Sequence, residues 1–185
     1  MKERTLSSEI LYKGRIIGLT KDIVEVNGRK SAREIITHPG SSVMIPVLDI
    51  NQKKLLLIKQ YRYAAKSFMI ELPAGTRKKD ESALECAKRE LAEETGFIAG
   101  KIKQIACFMP SPGMMTEKMS LFIASGLVRS RQNPDFDEQI SIMPATLDNA
   151  VKMVFDGSIR DGKTIAGILM LKEIYGDKKL FKKYL

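Results

Sequence analysis

The chain has 185 residues, of which 44% are hydrophobic and 29% are charged, and its formal net charge is +9. This composition is typical of one soluble globular domain with room for a small appendage. It excludes a membrane span, because no apolar run reaches about 18 residues, and a disulfide framework, because Cys86 and Cys107 are the only cysteines. The N-terminus lacks the apolar segment of a secretory signal, which favours a cytoplasmic location, and the basic charge favours an anionic partner.

The beginning of the chain predicts an antiparallel β unit. Residues 9–37 are rich in β-branched side chains, and Asn27 and Gly28 supply a hairpin turn between two strands. His38, the single histidine, stands before a Pro-Gly turn. We expect this histidine to be structural rather than catalytic.

Two buried strands are predicted next, in residues 41–50 and 53–63, with a turn at Asn51. Arg62 falls at the end of the second strand. A guanidinium matches phosphate in a bidentate manner, so Arg62 is a candidate anion-binding residue. A surface salt bridge is the alternative role.

A turn is predicted directly before the next helix, because the segment MIELPAG contains Pro73 and Gly75. The helix should span residues 82–95, which lack Pro and Gly and are rich in Ala, Leu, Glu and Lys. Its predicted boundaries use four residues: a capping box of Ser82 and Glu85, Asp80 as a rival N-cap, and Gly96 as a left-handed C-cap.

Three carboxylates share one face of this helix, because Glu90, Glu93 and Glu94 are spaced i, i+3 and i+4. Like charges at that spacing weaken a bare helix, so a partner must offset the repulsion. A hard divalent cation would do so, with the Ala74 carbonyl as a further oxygen ligand. A solvated acidic face with Arg89 as counterion is the alternative. The apolar stripe expected to dock the helix consists of Leu84, Ala87 and Leu91.

The rest of the chain alternates strands and helices. Strands are predicted in residues 101–108, 118–128 and 139–144, and helices in residues 146–157 and 161–176. The lysine-rich tail, residues 178–183, is expected to form a solvated face. Strands bracketed by helices indicate an α+β fold, specifically an α/β/α sandwich.

The spaced pattern from Gly75 to Phe97 resembles the Nudix box, the signature of hydrolases that cleave a nucleoside diphosphate linked to another group. The matching positions are Gly75, Glu81, Arg89, Glu90, Leu91, Glu93, Glu94, Gly96 and Phe97. The resemblance implies the Nudix fold, with a mixed central sheet and an N-terminal antiparallel β unit.

Outside the box, the chain resembles the ADP-ribose pyrophosphatase branch of that family, the nucleoside diphosphate-sugar hydrolases. The shared features are the N-terminal hairpin, the ELPAG segment with an arginine before it, and Pro112 beyond the box. The branch implies Mg²⁺-dependent hydrolysis, with Mn²⁺ as a possible substitute, giving a nucleoside monophosphate and a sugar phosphate. It also implies a homodimer built through residues 1–38, with residues 39–185 as the catalytic domain.

Residue roles follow from the same resemblance. The Ala74 carbonyl, Glu90 and Glu94 would bind the metal, with Glu93 close by as a catalytic residue. Substrate would contact Arg62, Glu71 and Pro112 in one subunit, and Arg33 and Glu34 near the base, across the dimer. The catalytic base would come from the acidic loop before the last strand, as Asp135 or Glu138, with Asp137 behind them.

Other functions stay open at this stage. A nucleoside triphosphate or capped-RNA pyrophosphohydrolase is the alternative enzyme, although Pro112 and the N-terminal hairpin argue against it, which makes a nucleic-acid partner unlikely. A non-catalytic nucleotide sensor is less favoured, because sensors on this scaffold commonly lose box glutamates and all are present here. The preferred nucleoside is open too, since the chain has no tryptophan to stack on a base.

Overall fold

The computed structural model describes residues 2–133 and 139–185, which form two β-sheets and four α-helices. The strands are β1 Arg4–Lys13, β2 Gly18–Val26, β3 Arg29–Thr37, β4 Ser41–Asp49, β5 Lys54–Arg62, β6 Ser67–Glu71, β7 Ala74–Thr76, β8 Phe97–Phe108, β9 Met119–Arg129 and β10 Ile140–Thr146. The helices are α1 Ala83–Thr95, α2 Leu147–Phe155, α3 Gly162–Gly176 and α4 Lys178–Tyr184. In the described ranges, no helix is both long and apolar enough to cross a bilayer.

The N-terminal sheet is antiparallel, in the order β1-β2-β3. Asn27 and Gly28 form the β2–β3 turn with φ of 52° and 73°, and paired left-handed residues of this kind suit a tight hairpin. The predicted hairpin is therefore confirmed. The sheet also begins earlier than predicted, since β1 starts at Arg4 and is exposed along its whole length.

The main sheet has the order β10-β5-β4-β9-β8, with β6 on β5 and β7 on β4. β4 and β9 run parallel and the other pairs are antiparallel, so the sheet is mixed. Alternate residues of β4 face opposite layers. Met44 packs in one apolar cluster with Leu91 of α1, whereas Ile45 packs in another with Ile168 of α3. This arrangement confirms the predicted sandwich.

One prediction about local structure is wrong. The turn expected directly before α1 is instead a strand, because residues 74–76 pair with β4 and the chain turns only in residues 77–82. The four lysines of the tail are exposed, as predicted. They lie on α4, whose first N–H groups donate to the Asp177 side chain, and Leu180 and Tyr184 of the same helix pack against the core.

Candidate active site

The central helix α1 is held by the caps that its sequence predicts. Ser82 and Glu85 form a reciprocal capping box, and Gly96 adopts a left-handed conformation with φ of 68°. Asp80 lies before the cap and is not part of it. The docking stripe was predicted only in part, because Leu84 is 41% exposed. The buried apolar positions are Cys86, Ala87 and Leu91.

One arginine gathers three carboxylates on and beside α1. Arg89 donates to Glu81 Oε1 at 2.8 Å, to Glu90 Oε1 at 2.5 Å and to Glu93 Oε2 at 2.9 Å. We refer to Glu81, Arg89, Glu90 and Glu93 as the helix cluster. Hydrogen bonding from Arg89 lowers the pKa of Glu81 to about 2, and hydrogen bonding to Glu81 raises the pKa of Arg89. Glu81 and Arg89 therefore form an ion pair at neutral pH.

The short strand β7 lies directly over the carboxylate face. The Ala74 N–H donates to Glu94 Oε2 at 2.9 Å, and a Cβ added to Gly75 would overlap the Glu90 carboxylate. Cys86 Sγ lies 3.4 Å from the Gly75 carbonyl, and burial raises the pKa of this thiol to about 11. Glycine at position 75 therefore permits the close approach between strand and helix.

A second group of charges joins β5 and β6 to the start of α3. We refer to Arg62, Glu71, Asp161 and Lys163 as the strand cluster. Arg62 makes a bidentate pair with Glu71 at 2.7 and 2.8 Å. Lys163 contacts the same carboxylate and lies 3.0 Å from Asp161 Oδ2. Glu71 is only 2% exposed. Burial raises the pKa of Glu71, but hydrogen bonding and charge from Arg62 and Lys163 more than offset it, so the pKa is lowered overall.

The two clusters meet in one cleft. Arg62, Asp161 and Lys163 line a cavity of about 480 Å³, and Arg89, Glu90 and Glu93 line a cavity of about 820 Å³. Arg62 and residues 74–76 line both cavities. The cations of the strand cluster and the carboxylates of the helix cluster therefore line two adjoining cavities.

The donor set suits a hard divalent cation in its chemistry. Glu90, Glu93 and Glu94 supply carboxylate oxygens on one helix face, and the carbonyls of β7 are adjacent. Within the described ranges, however, no group of three or more His, Cys, Asp or Glu side chains is arranged to hold a metal ion. Arg89 instead binds Glu90 and Glu93 in this arrangement.

Comparison with known proteins identifies the family. The NUDIX domain model matches residues 38–155, which include both clusters apart from Asp161 and Lys163. The chain belongs to the Nudix hydrolase family. The ADP-ribose pyrophosphatase of Bacillus subtilis (strain 168) is 36% identical over 178 residues, which cover 94% of this chain and 95% of that protein.

Other relatives also match most of the chain. The methanol dehydrogenase activator of Bacillus methanolicus is 34% identical and covers 92% of this chain and 93% of its own length. The GDP-mannose pyrophosphatase of Salmonella paratyphi B (strain ATCC BAA-1250 / SPB7) is 32% identical, with 80% and 82% covered. The crystal structure of an ADP compounds hydrolase matches the fold with a TM-score of 0.84 at 22% identity, covering 97% of both chains.

Three further predicted site residues of this Nudix chain, Arg33, Glu34 and Pro112, line neither cavity. Arg33 pairs with Glu3 on the N-terminal sheet, and Glu34 is exposed on the same strand. Pro112 is exposed and lines neither cavity, although the nearby Pro110 lines the smaller one. The candidate bases Asp135 and Glu138, with Asp137, lie outside the described residues.

Two Nudix cleft residues were missed by sequence reasoning. Lys163 follows the N-cap Asp161 at the start of α3, and only the fold brings it to Glu71. Glu117 is 8% exposed, lines the smaller cavity and accepts from Ser41 Oγ at 2.7 Å. In the sequence, Lys163 and Glu117 appear only as charged residues near a loop or a helix start. Such residues are too common to identify a site.

The segment carrying Pro112 and Glu117 is hydrogen-bonded to the end of the N-terminal sheet. The Ile36 N–H donates to the Met114 carbonyl at 2.8 Å, and the Thr116 N–H donates to the Ile36 carbonyl at 2.9 Å. The His38 N–H donates to Thr116 Oγ1 at 3.0 Å. His38 Nδ1 accepts from the Gly40 N–H at 3.0 Å, in line with the structural role expected for it.

Proposed function

We propose that this Nudix hydrolase cleaves the diphosphate bond of nucleoside diphosphate-sugars, with ADP-ribose as the leading substrate. The products would be a nucleoside monophosphate and a sugar phosphate. The observation that carries the proposal is the pair of adjoining cavities, one lined by Arg62 and Lys163 and the other by Arg62 and the carboxylates of α1. The names of the ADP-ribose and GDP-mannose pyrophosphatases among its relatives support the substrate class.

The strand cluster is the proposed binding site for the diphosphate. Glu71 holds Arg62 and Lys163 side by side, so two cations are in place before an anion enters. A guanidinium binds two phosphate oxygens at once, whereas an ammonium acts as a point charge. Glu71 therefore positions the two cations rather than contacting the anion.

The carboxylate face of α1 is the proposed magnesium site. Glu90 and Glu94, with the Ala74 carbonyl, would hold Mg²⁺, and Mn²⁺ is a candidate substitute. When bound, the ion supplies charge neutralisation for the diphosphate and lowers the pKa of a water ligand. Because Arg89 holds Glu90 and Glu93, we expect the cation to compete with this guanidinium.

Proton removal is assigned to a carboxylate. Glu93 is the candidate within the described cleft, and Asp135 or Glu138 of the acidic loop are candidates outside it. General-base catalysis typically contributes about 10²–10⁴-fold. Single substitutions of Glu93, Asp135 and Glu138 should be compared, because only one of the three would take the proton.

A homodimer is the proposed assembly. β1 is exposed along its length and carries the large apolar residues Leu6, Ile10, Leu11 and Tyr12 at its surface. Isolated apolar side chains are normal at surfaces, but four on one strand favour a partner. Dimerisation would also bring Arg33 and Glu34 to the cleft of the second subunit. Light scattering at known concentration tests this, and a monomer would contradict it.

The free thiols Cys86 and Cys107 are in keeping with the proposed cytoplasmic location.

A second candidate function is activation of a dehydrogenase. It is suggested by the relative named methanol dehydrogenase activator, whose match covers 92% of this chain. Dinucleotide cofactors such as NAD contain the same diphosphate between two nucleosides. We therefore include NAD among the substrates to be tested. Stimulation of a purified methanol dehydrogenase by this protein would favour this candidate over sugar-nucleotide hydrolysis.

The deciding experiment is a product assay with the purified protein, MgCl₂ and one compound at a time. The panel contains ADP-ribose, GDP-mannose, UDP-glucose, NAD, ATP and a capped RNA, with products resolved by ion exchange. AMP and ribose phosphate from ADP-ribose, abolished by EDTA, are expected. Turnover of ATP or capped RNA alone would contradict the proposed substrate class, and no turnover of any compound would favour the sensor.

A further inference from the structure

The larger cavity of the cleft is lined by cations that belong to neither cluster. We refer to three of them as the basic rim: Arg15, Lys78 and Lys79. The first lies in the turn between β1 and β2, and the two lysines lie in the loop between β7 and α1. Within the described residues, none of the three forms a salt bridge, whereas Arg62 and Arg89 of the same cavity each do.

Hydrogen bonds of the backbone hold both parts of the basic rim in place. The Gly14 N–H donates to the Ile17 carbonyl at 2.9 Å, which closes the turn that carries Arg15. The Lys78 N–H donates to Glu81 Oε2 at 2.8 Å, and the Glu81 N–H donates to the Lys78 carbonyl at 3.2 Å. The side chains of the basic rim are exposed at these closed turns. An incoming anion would therefore meet the three cations without rearranging the backbone.

The basic rim is separate from the cations assigned to the diphosphate. Lys163 lines only the smaller cavity, the basic rim lines only the larger one, and Arg62 lines both. The surplus carboxylate charge of the helix cluster is assigned to a divalent cation. Once that cation is bound, the charges of the basic rim would still lack a counterion, and they would attract a further anionic group.

A solvated face is the ordinary role of exposed lysines, but the placement of the basic rim favours a ligand. Its members come from two segments that are far apart in the sequence and belong to different sheets, yet they line one cavity. Lysine and arginine are the side chains that bind phosphate oxygens most strongly. The basic rim therefore has the chemistry of a second phosphate site.

We propose that the basic rim binds a phosphate group outside the diphosphate that is cleaved. The inference rests on the proposed function, which assigns the diphosphate to Arg62 and Lys163. The ligand class is a nucleoside diphosphate compound with one further phosphate. That phosphate is either a monoester on the nucleoside ribose or a third phosphate in the chain. A phosphate monoester carries about −1.5 to −2 charges at pH 7, which an unmodified ribose hydroxyl does not.

Two pairs of ligands test this site and distinguish the two sources of phosphate. ADP-ribose and ADP-ribose 2′-phosphate differ by a monoester on the ribose. Diadenosine diphosphate and diadenosine triphosphate differ by one phosphate in the chain. Dissociation constants are measured by calorimetry on the full-length protein in EDTA, and kcat/KM is then measured with MgCl₂.

The variants remove charge from the basic rim or from a matched surface. Lys78→Gln combined with Lys79→Gln removes two charges, and Arg15→Gln removes one. Lys78→Arg combined with Lys79→Arg keeps the charge. The matched control is Lys172→Gln combined with Lys178→Gln, because these lysines are exposed on α3 and α4 and line neither cavity.

In one of the two pairs, we expect the wild type to bind the ligand with the further phosphate at least about tenfold more tightly. The double glutamine variant of Lys78 and Lys79 should reduce this preference to about twofold or less, and Arg15→Gln should reduce it in part. The double arginine variant and the control should retain it. The preference should also shrink between about 0.1 M and about 1 M NaCl, where the Debye length falls from about 10 Å to about 3 Å.

Equal affinities within both pairs for the wild type would overturn the inference. A preference that survives the glutamine variants of the basic rim would also overturn it. So would a preference that the control on α3 and α4 loses equally, because net charge and not the basic rim would then set the affinity. If the wild type hydrolyses no compound but shows the preference, the proposed function fails while the phosphate site stands.

Discussion

The helix cluster and the strand cluster use the same residue types in opposite proportions. In the helix cluster, one guanidinium faces three carboxylates. In the strand cluster, a guanidinium and an ammonium share Glu71, and Asp161 contacts the ammonium. The first group has surplus negative charge and the second is balanced. A cleft with both can bind a cation on one wall and hold cations ready for an anion on the other.

The clusters also differ in how the chain builds them. All members of the helix cluster fall within residues 81–93, so helical spacing alone brings most of them together. The strand cluster joins β5, β6 and the start of α3, and Lys163 is separated from Glu71 by 92 positions. Local chemistry therefore supplies the proposed metal site, whereas tertiary structure supplies the proposed phosphate site.

The contrast between the two clusters is tested most sharply by neutralising single carboxylates on the α1 face. Glu90→Gln and Glu94→Gln should each lower kcat by about 10³-fold, because a metal ligand is lost while the strand cluster is untouched. Steady-state kinetics with MgCl₂ measures this. Asp135→Asn and Glu138→Gln are the comparison, and a larger loss from either loop acid would contradict the assignment.

A glycine substitution tests the position of the Glu90 carboxylate without changing any charge. Gly75→Ala should cost about 10²-fold in kcat/KM, because an added Cβ would displace the Glu90 carboxylate. Gly176→Ala is the control, since nothing lies within 4 Å of a Cβ at the end of α3. Equal activities for the two variants would show that the close approach at Gly75 has no functional weight.

Substitutions in the strand cluster should change substrate binding more than turnover. Lys163→Met removes one of two cations from Glu71, and we expect kcat/KM to fall about 10-fold to 100-fold, mainly through KM. Arg62 still neutralises Glu71, so the fold should survive, which thermal unfolding checks. A loss confined to kcat would instead place Lys163 with the reacting groups.

The smallest expected effect is the pH dependence of the stability that the pair between Glu81 and Arg89 contributes. The pKa of Glu81 is about 2 in the folded chain against an ordinary 4.5, so its contribution to stability is complete above pH 4.5 and lost as the pH falls toward 2. Relative to wild type, Glu81→Gln should be less stable near pH 6, and the difference should shrink on acidification. Tm values from circular dichroism between pH 6 and pH 2 measure this. A difference independent of pH would contradict the pairing with Arg89.

The contrast between the clusters explains what could be predicted from the sequence. The caps of α1, its carboxylate face and the Asn27-Gly28 hairpin depend on neighbours within a few residues, and their structures were predicted correctly. Leu84 was misassigned because α1 is buried on a narrow side that includes Glu90 and Glu94. Lys163 and Glu117 escaped because only tertiary packing brings them to Glu71 and Ser41, and residue spacing does not encode that packing.

The hydrogen bonds between Ile36, His38 and the segment around Thr116 have a practical consequence for dissecting the molecule. A shortened chain beginning at residue 39 would remove both backbone partners of that segment, together with the side chain that accepts the Gly40 N–H. Glu117 is the next residue in that segment. Trimming the N-terminal sheet to study the catalytic part alone would thus loosen a wall of the cleft, and its low activity could be mistaken for loss of dimerisation.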